Sequence, residues 1–201
     1  MEIKVIVTIL LGSIFINNYV LARMLGVCPF LGVLQKLDSA AVLGLAVVFF
    51  MTLTSFITYP IYKYVLAPNN ISYLTTIAFI IVIGSLAQFM EMIIRKYCPP
   101  LFQALEIFPP LIVTNCAVLG AAVINISSGF AGPDVTLGMI KSVAQGFGGG
   151  VGFTLALIIM VGIRERLELA DIPENLKGAP VTFLTAGLLA LAFFGFSGLK
   201  I

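Results

Sequence analysis

The stretch Leu25-Gly26-Val27-Cys28-Pro29-Phe30-Leu31-Gly32 sets a thiol beside a helix breaker inside a long apolar segment. Its core recurs at Cys116-Ala117-Val118-Leu119-Gly120, and both copies read C-x-x-L-G. Proline lacks the backbone donor and clashes with the preceding helical turn. A break inside an apolar segment is tolerated in lipid only where protein or a cavity surrounds it. The two stretches predict broken half-helices around two cysteines, buried in a membrane protein.

Composition bounds the rest. Of 201 residues, 60% are apolar and 10% are charged, where a soluble domain carries about 25% charged residues. Apolar runs of spanning length then mean an integral membrane protein, embedded in lipid and folded as one domain over 1–201. The net charge of +2 is small and scattered, which argues against a nucleic-acid partner. The chain has no histidine, so imidazole ligands, histidine bases and histidine-based triads are excluded. Three cysteines are an odd set, and two lie in apolar segments. That favours packing or metal ligation over a disulfide framework. Val20-Leu21-Ala22 only weakly imitates a signal-peptidase site, so the first segment reads as an uncleaved span.

Six spans follow in order. The first covers residues 6–34, longer than the roughly 20 residues that cross a bilayer. It contains Asn17, Asn18, Arg23, Gly26 and Pro29. It is either one tilted, broken span or a span ending near Ala22 with a re-entrant segment after it. Spans two and three cover 40–62 and 73–94, with Tyr59 and Tyr62 expected as interfacial anchors and Gln88 and Glu91 near the end of span three. An amphipathic stretch, 101–108, follows Cys98. Pro109-Pro110 should start a short span four, 111–126, since proline suits a helix start. A polar loop is expected over 127–141. Span five, 142–163, begins with Gly146-Phe147-Gly148-Gly149-Gly150-Val151-Gly152. This run lacks the Lys-Ser/Thr of a phosphate loop, and close helix packing through small residues is the better account. The charged loop 164–177 precedes span six, 181–196.

The fold class expected is thus all-α, with six transmembrane helices in two three-helix repeats, about 1–96 and 99–201. An odd number of spans per repeat inverts one half relative to the other. Inverted repeats bring corresponding residues toward a pseudo-two-fold axis near the bilayer midplane. Cys28 and Cys116 should therefore approach one another. Loops after spans one, three and five carry Lys36, Arg95, Lys96, Arg164, Arg166 and Lys177, against Lys4, Lys63, Lys141 and Lys200 on the other side. That bias places the N-terminus outside.

A buried cysteine taken singly is usually a small hydrophobe. A pair at repeat-related positions, flanked by glycine and proline, is a candidate metal site. Two thiolates complete neither a tetrahedral metal nor a [2Fe–2S] cluster, which takes four ligands. Cys98 lies at the membrane edge. Two further ligands would have to come from another chain, so the site would sit at a subunit interface. Arg23 either balances an anionic cluster or snorkels to an interface. Asn17, Asn18, Asn115 and Asn125 either cap broken helices or line an ion path. Glu91 either pairs with Arg95 at i, i+4 or belongs to a cation route.

The stretches NNYVLARMLGVCPFLG (17–32), PPLIVTNCAVLGAAVIN (109–125), GFGGGVGFTLALI (146–158), IRERLELADIPENLKG (163–178) and FLTAGLLALAFFGFSGL (183–199) resemble the A-type membrane subunits of the Rnf complex, across nearly the whole chain. The E-type subunit of the sodium-pumping NADH:quinone reductase is a close relative in the same family. Asn17-Asn18-Tyr19-Val20-Leu21 and Cys28-Pro29-Phe30 look more like the Rnf branch, and Thr114-Asn115-Cys116-Ala117 is common to both. The resemblance implies one component of a membrane-bound ferredoxin:NAD⁺ oxidoreductase coupled to Na⁺ or H⁺ translocation, in a bacterial or archaeal cytoplasmic (inner) membrane. It implies a homologous partner of opposite topology, the E-type subunit of the Rnf complex, beside the B, C, D and G subunits. It further implies a [2Fe–2S] cluster between the two homologues, held by two cysteines from each. Cys28 and Cys116 match the ligand positions; Cys98 does not.

Two other readings stay open beside this one. An inverted-repeat transporter would use the polar helix breaks to bind a solute, with passive cysteines. A scaffold would only hold a larger complex together. Acidic residues at both breaks would favour transport, and neither break has one.

Overall fold

The computed structural model describes residues 2–27, 37–68, 74–97, 115–129, 135–169, 173 and 178–195. Nearly all of these residues lie in helices or in the turns at helix ends. Among them six α-helices follow in chain order: α1 (Glu2–Leu11), α2 (Leu37–Ile61), α3 (Thr75–Tyr97), α4 (Cys116–Ser127), α5 (Val135–Glu168) and α6 (Ala179–Phe194). Wide π-helical turns extend α1 through Gly12–Ile16 and α2 through Tyr62–Leu66. Pro60 lies inside α2, just ahead of its wide turn. Its missing N–H removes a ladder bond there.

Three of the described helices are long and apolar enough to cross a membrane: Ala40–Leu66, Thr75–Ile93 and Val135–Leu167. The apolar parts of α1, α4 and α6 are shorter. At 1.5 Å per residue, the 12 residues of α4 reach about 18 Å, well short of the roughly 30 Å hydrocarbon core.

Helix α5 is the centre of the molecule, and its glycine run explains how. Each glycine costs a helix about 1 kcal/mol relative to alanine, so five within seven residues need a reason. A Cβ on Gly146 would collide with Ser55 of α2, and one on Gly150 would stand 2.7 Å from the Val48 backbone. A Cβ on Gly148 or Gly152 would press on the α1 backbone at Leu10, or at Ser13 and Ile14 of its wide turn. A Cβ on Gly149 would overlap the ring of Tyr19. The run lets two helices and one aromatic ring approach α5 at backbone distance, as expected of small residues at helix contacts. Around this spine the core gathers Leu43, Val47 and Met51 from α2, Val118 and Ala121 from α4, and Phe153, Leu157 and Met160 from α5. Helices α3 and α6 flank it and expose Ile80, Ile81, Phe89, Leu188 and Leu191.

Several boundaries differ from those expected. The first apolar segment does break, but helix ends at Ile16, ahead of Pro29. Asparagine, not proline, governs the break, as described below. Helix α4 starts at Cys116, because Asn115 is extended (φ −69°, ψ 110°); Pro109-Pro110 lie outside the described residues. The expected polar loop is helical from Val135 onward. Apolar Val135, Leu137 and Met139 are partly buried there, and packing of such a face outweighs the low propensity of the neighbouring Thr and Gly. Tyr59 is buried rather than an interfacial anchor, and Tyr62 packs against the core. Pro180 stands at the start of α6, where its missing donor costs nothing.

Candidate functional site

The break after α1 is built by Asn18, which is fully buried. Its Oδ1 accepts from the backbone N–H of Val20 (3.0 Å) and Leu21 (3.4 Å). Its Nδ2 donates to Gly152 O of α5 (2.8 Å) and Ile14 O (3.3 Å). One side chain thus caps the new turn and ties it to the central helix. The turn closes through Ala22 N–H to Asn18 O, Met24 N–H to Val20 O and Leu25 N–H to Tyr19 O, at 2.8–3.1 Å. Met24 (φ 55°) and Gly26 (φ 81°) are left-handed, a conformation natural to glycine and strained for methionine. Val27 is helical again. Tyr19 anchors the turn, its ring over Gly149 and its hydroxyl accepting from Gln145 Nε2 at 3.3 Å.

The turn delivers Gly26 against the second cysteine stretch. A Cβ on Gly26 would stand 2.8 Å from Asn115 Oδ1, 2.8 Å from Phe153 and 3.2 Å from the Ala117 Cβ. In the reciprocal contact, Leu25 fills the space beside Gly120. The flanks of the two C-x-x-L-G stretches therefore touch. Cys28 itself lies outside the described residues, as does Cys98.

Cys116 is exposed at the first position of α4. Asn115 caps that helix, its Oδ1 accepting from Ala117 N–H at 3.0 Å. Helix N-termini carry unsatisfied N–H groups and partial positive charge. Asn115 is 5% exposed, yet its Nδ2 has no partner among the described residues. A buried group left so costs about 1–3 kcal/mol. This donor stands one residue from the thiol.

The remaining candidates divide. Asn18 and Asn115 both cap, and Asn17 is exposed at the break. Arg23 is exposed on the turn. Glu91 is half-buried on α3, while the side chain of Arg95 lies outside those described. Among the described residues no three Cys, Asp or Glu side chains converge. A second polar group went unread in the sequence: Thr54, Ser55 and Ser142, which are buried in the core with Asn125. Hydroxyls in an apolar helix normally bond their own i−4 carbonyl, so serine and threonine carry no signal by type. Only their placement on facing helices reveals them.

Comparison with known proteins gives a consistent picture. Residues 6–200 match the family model described as "Rnf-Nqr subunit, membrane protein". The chain is 51% identical over 196 residues to the A-type subunit of the ion-translocating oxidoreductase complex of Syntrophotalea carbinolica, covering 98% of each chain. It is 48% identical over 196 residues to the A-type subunit of the Na⁺-translocating ferredoxin:NAD⁺ oxidoreductase complex of Acetobacterium woodii, again covering 98% of each. With the A-type subunit of the ion-translocating oxidoreductase complex of Vibrio cholerae (strain El Tor Inaba N16961) it shares 47% identity over 191 residues, 95% of each chain.

Proposed function

Because the chain belongs to the Rnf-Nqr family of membrane subunits, it is a membrane component of a redox-driven, ion-translocating oxidoreductase complex, and we propose that it holds half of an intramembrane [2Fe–2S] cluster within that complex. Cys28 and Cys116 are the two thiolates this chain supplies. The homologous E-type subunit supplies the other two, and the B, C, D and G subunits complete the assembly. When bound there, the cluster carries single electrons across the membrane.

One observation carries this reading: the contact of Gly26 with Asn115 and Ala117. Only Val27 separates Gly26 from Cys28, a reach of about 7 Å at most, and Asn115 is bonded directly to Cys116. The donor set around Cys116 fits an anionic iron–sulfur group. Its sulfur stands at a helix N-terminus, and the orphaned Asn115 Nδ2 is a buried N–H donor without an acceptor among the described residues. Hydrogen bonds to cluster sulfurs tune such centres. The exposure of Cys116 suits a site completed by another chain. Phe153, Ala117 and Val118, fully buried behind it, exclude water from this side.

The finer architecture belongs to the same proposal. Six spans in two inverted repeats place the two helix breaks, after α1 and before α4, at corresponding positions. The N-terminus lies outside the bacterial or archaeal cytoplasmic membrane. The test is iron, acid-labile sulfide and EPR on the purified complex, for wild type, Cys28→Ser and Cys116→Ser. Each substitution should abolish the intramembrane cluster signal and electron flow. If both signals survive both substitutions, the cluster is held elsewhere.

A further inference from the structure

We infer that Ser55, Asn125 and Ser142, where α2, α4 and α5 meet, form a binding site for a dehydrated monovalent cation. This rests on the reading of the chain as part of an ion-translocating complex, and it concerns a group at the end of α4 opposite Cys116.

The geometry begins with Asn125, 2% exposed in the core. Its Nδ2 donates to Ser55 Oγ (3.1 Å) and Ser142 O (3.5 Å). A carbonyl only accepts, so Ser142 O fixes the amide with its nitrogen on that side. Asn125 Oδ1 is then left without a partner among the described residues, and so is Ser142 Oγ. Both serines are fully buried. Thr54, one residue before Ser55, adds a second buried hydroxyl without a partner among the described residues.

These hydroxyls depart from the habit of this chain. Thr52, Thr58, Thr154, Thr182 and Thr185 each bond the carbonyl four residues back, at 2.7–2.9 Å. That bond is the default for a hydroxyl inside an apolar helix. Ser142 and Thr54 decline it and keep their oxygens unengaged in a core where unsatisfied polar atoms are costly. Oxygens left unengaged in such a core are available to a ligand that brings positive charge.

Ligand chemistry decides the occupant. Amide and hydroxyl oxygens are hard donors, suited to hard cations. All are neutral, whereas Ca²⁺ and Mg²⁺ sites use carboxylates. None titrates near neutral pH, so the group has no means of holding a proton. Lys141, next to Ser142 in sequence, is half-buried, and one helical step turns it about 100° away. A monovalent alkali cation remains, and the preference between Na⁺ and K⁺ is what the experiment reads.

The experiment uses the purified complex in liposomes, with ²²Na⁺ uptake and the Na⁺ dependence of electron transfer measured against K⁺ as the control salt. Cluster EPR is recorded on every sample. Ser142→Ala removes one oxygen and little volume; it should raise the half-saturating Na⁺ concentration about tenfold or more, with the cluster signal unchanged. Asn125→Leu should abolish Na⁺ uptake, and Asn125→Asp should retain it. If Ser142→Ala assembles with its cluster and keeps the wild-type Na⁺ titration, the oxygens hold a buried water and the inference is overturned. Loss of the EPR signal in wild type would overturn the cluster reading alone, leaving the Na⁺ titration to judge this site.

Discussion

Gly26 meets Asn115 so closely that a single methyl group on the glycine would stand 2.8 Å from the asparagine Oδ1. The left-handed φ of 81° at Gly26 adds a second demand that only glycine meets without strain. Gly26→Ala therefore carries both a backbone penalty and an overpacked contact, together about 2–5 kcal/mol. Thermal melting of the complex should fall accordingly, and the yield of the proposed intramembrane cluster should fall with it. Met24→Gly, two residues earlier, should do the opposite. Met24 is 59% exposed with φ 55°, so the change relieves strain and loses little packing, a gain of up to about 1 kcal/mol. A Gly26→Ala complex that melts like wild type would show that the two stretches are not held together by this contact.

Asn115 has two jobs that substitution separates. Its Oδ1 caps α4, and its Nδ2 lacks an acceptor among the chain's described residues. Asn115→Ser keeps a capping oxygen and loses the amide donor, whereas Asn115→Ala loses both. The alanine variant should cost about 0.5–2 kcal/mol of stability, with the serine variant close to wild type. Both should lower the reduction potential of the proposed cluster in an EPR-monitored titration, because an N–H donor stabilises the more negatively charged reduced state. An unchanged potential in Asn115→Ser means that Nδ2 does not serve the sulfurs.

How far the fold was legible in the sequence depends on the kind of signal. Apolar runs of spanning length announced helices in the observed order, because burial in lipid leaves the backbone little other choice. The glycine run announced close packing, since nothing else offsets five poor helix formers in about two turns. The first break was legible only in part: Asn18 was among the residues expected to cap a broken helix, and it does so. Pro29 is a conspicuous breaker, but the helix ends earlier, at a site chosen by a tertiary bond from Asn18 to Gly152, which no local pattern shows. Tyr59 misled for a related reason. A tyrosine near a span end is an anchor only if lipid surrounds it, and here it is buried within the protein. Asn125 stood out as a polar residue in a span, but its partners Ser55 and Ser142 did not, because they come from two other helices and look ordinary in each.

The spine of α5 predicts a contrast between glycines. Gly149 has the Tyr19 ring against it, while Gly162 on the same helix has open space. Gly149→Ala should displace the ring and its bond to Gln145, lowering stability by about 1–3 kcal/mol. Gly162→Ala should be neutral or raise it by up to about 1 kcal/mol, the propensity difference between the two residues. Unfolding of the two variants in mild detergent, followed by helical circular dichroism, makes the comparison. Equal behaviour would mean that the approach of Tyr19 to α5 is adaptable.

Asn18 offers the strongest test of how the broken helix is held. Its Oδ1 satisfies the N–H groups of Val20 and Leu21, two backbone donors that burial makes costly to orphan, and its Nδ2 ties the turn to Gly152 O of α5. Asn18→Ala exposes neither to water and should cost about 2–5 kcal/mol, since each orphaned group is worth about 1–3 kcal/mol. Asn18→Asp keeps the acceptor facing Val20 but turns a carboxylate oxygen toward the carbonyls of Gly152 and Ile14. Repulsion and charge burial should make it at least as damaging as alanine. Asn18→Ser keeps a smaller acceptor and should fall between wild type and alanine. Hydrogen exchange reports where the damage goes: protection of the amides at Val20, Leu21, Met24 and Leu25 should drop in the alanine variant, while that of α5 beyond Leu157 stays. Uniform loss along α5 would place Asn18 in the general stability of the bundle rather than in the break that brings Gly26 to Asn115.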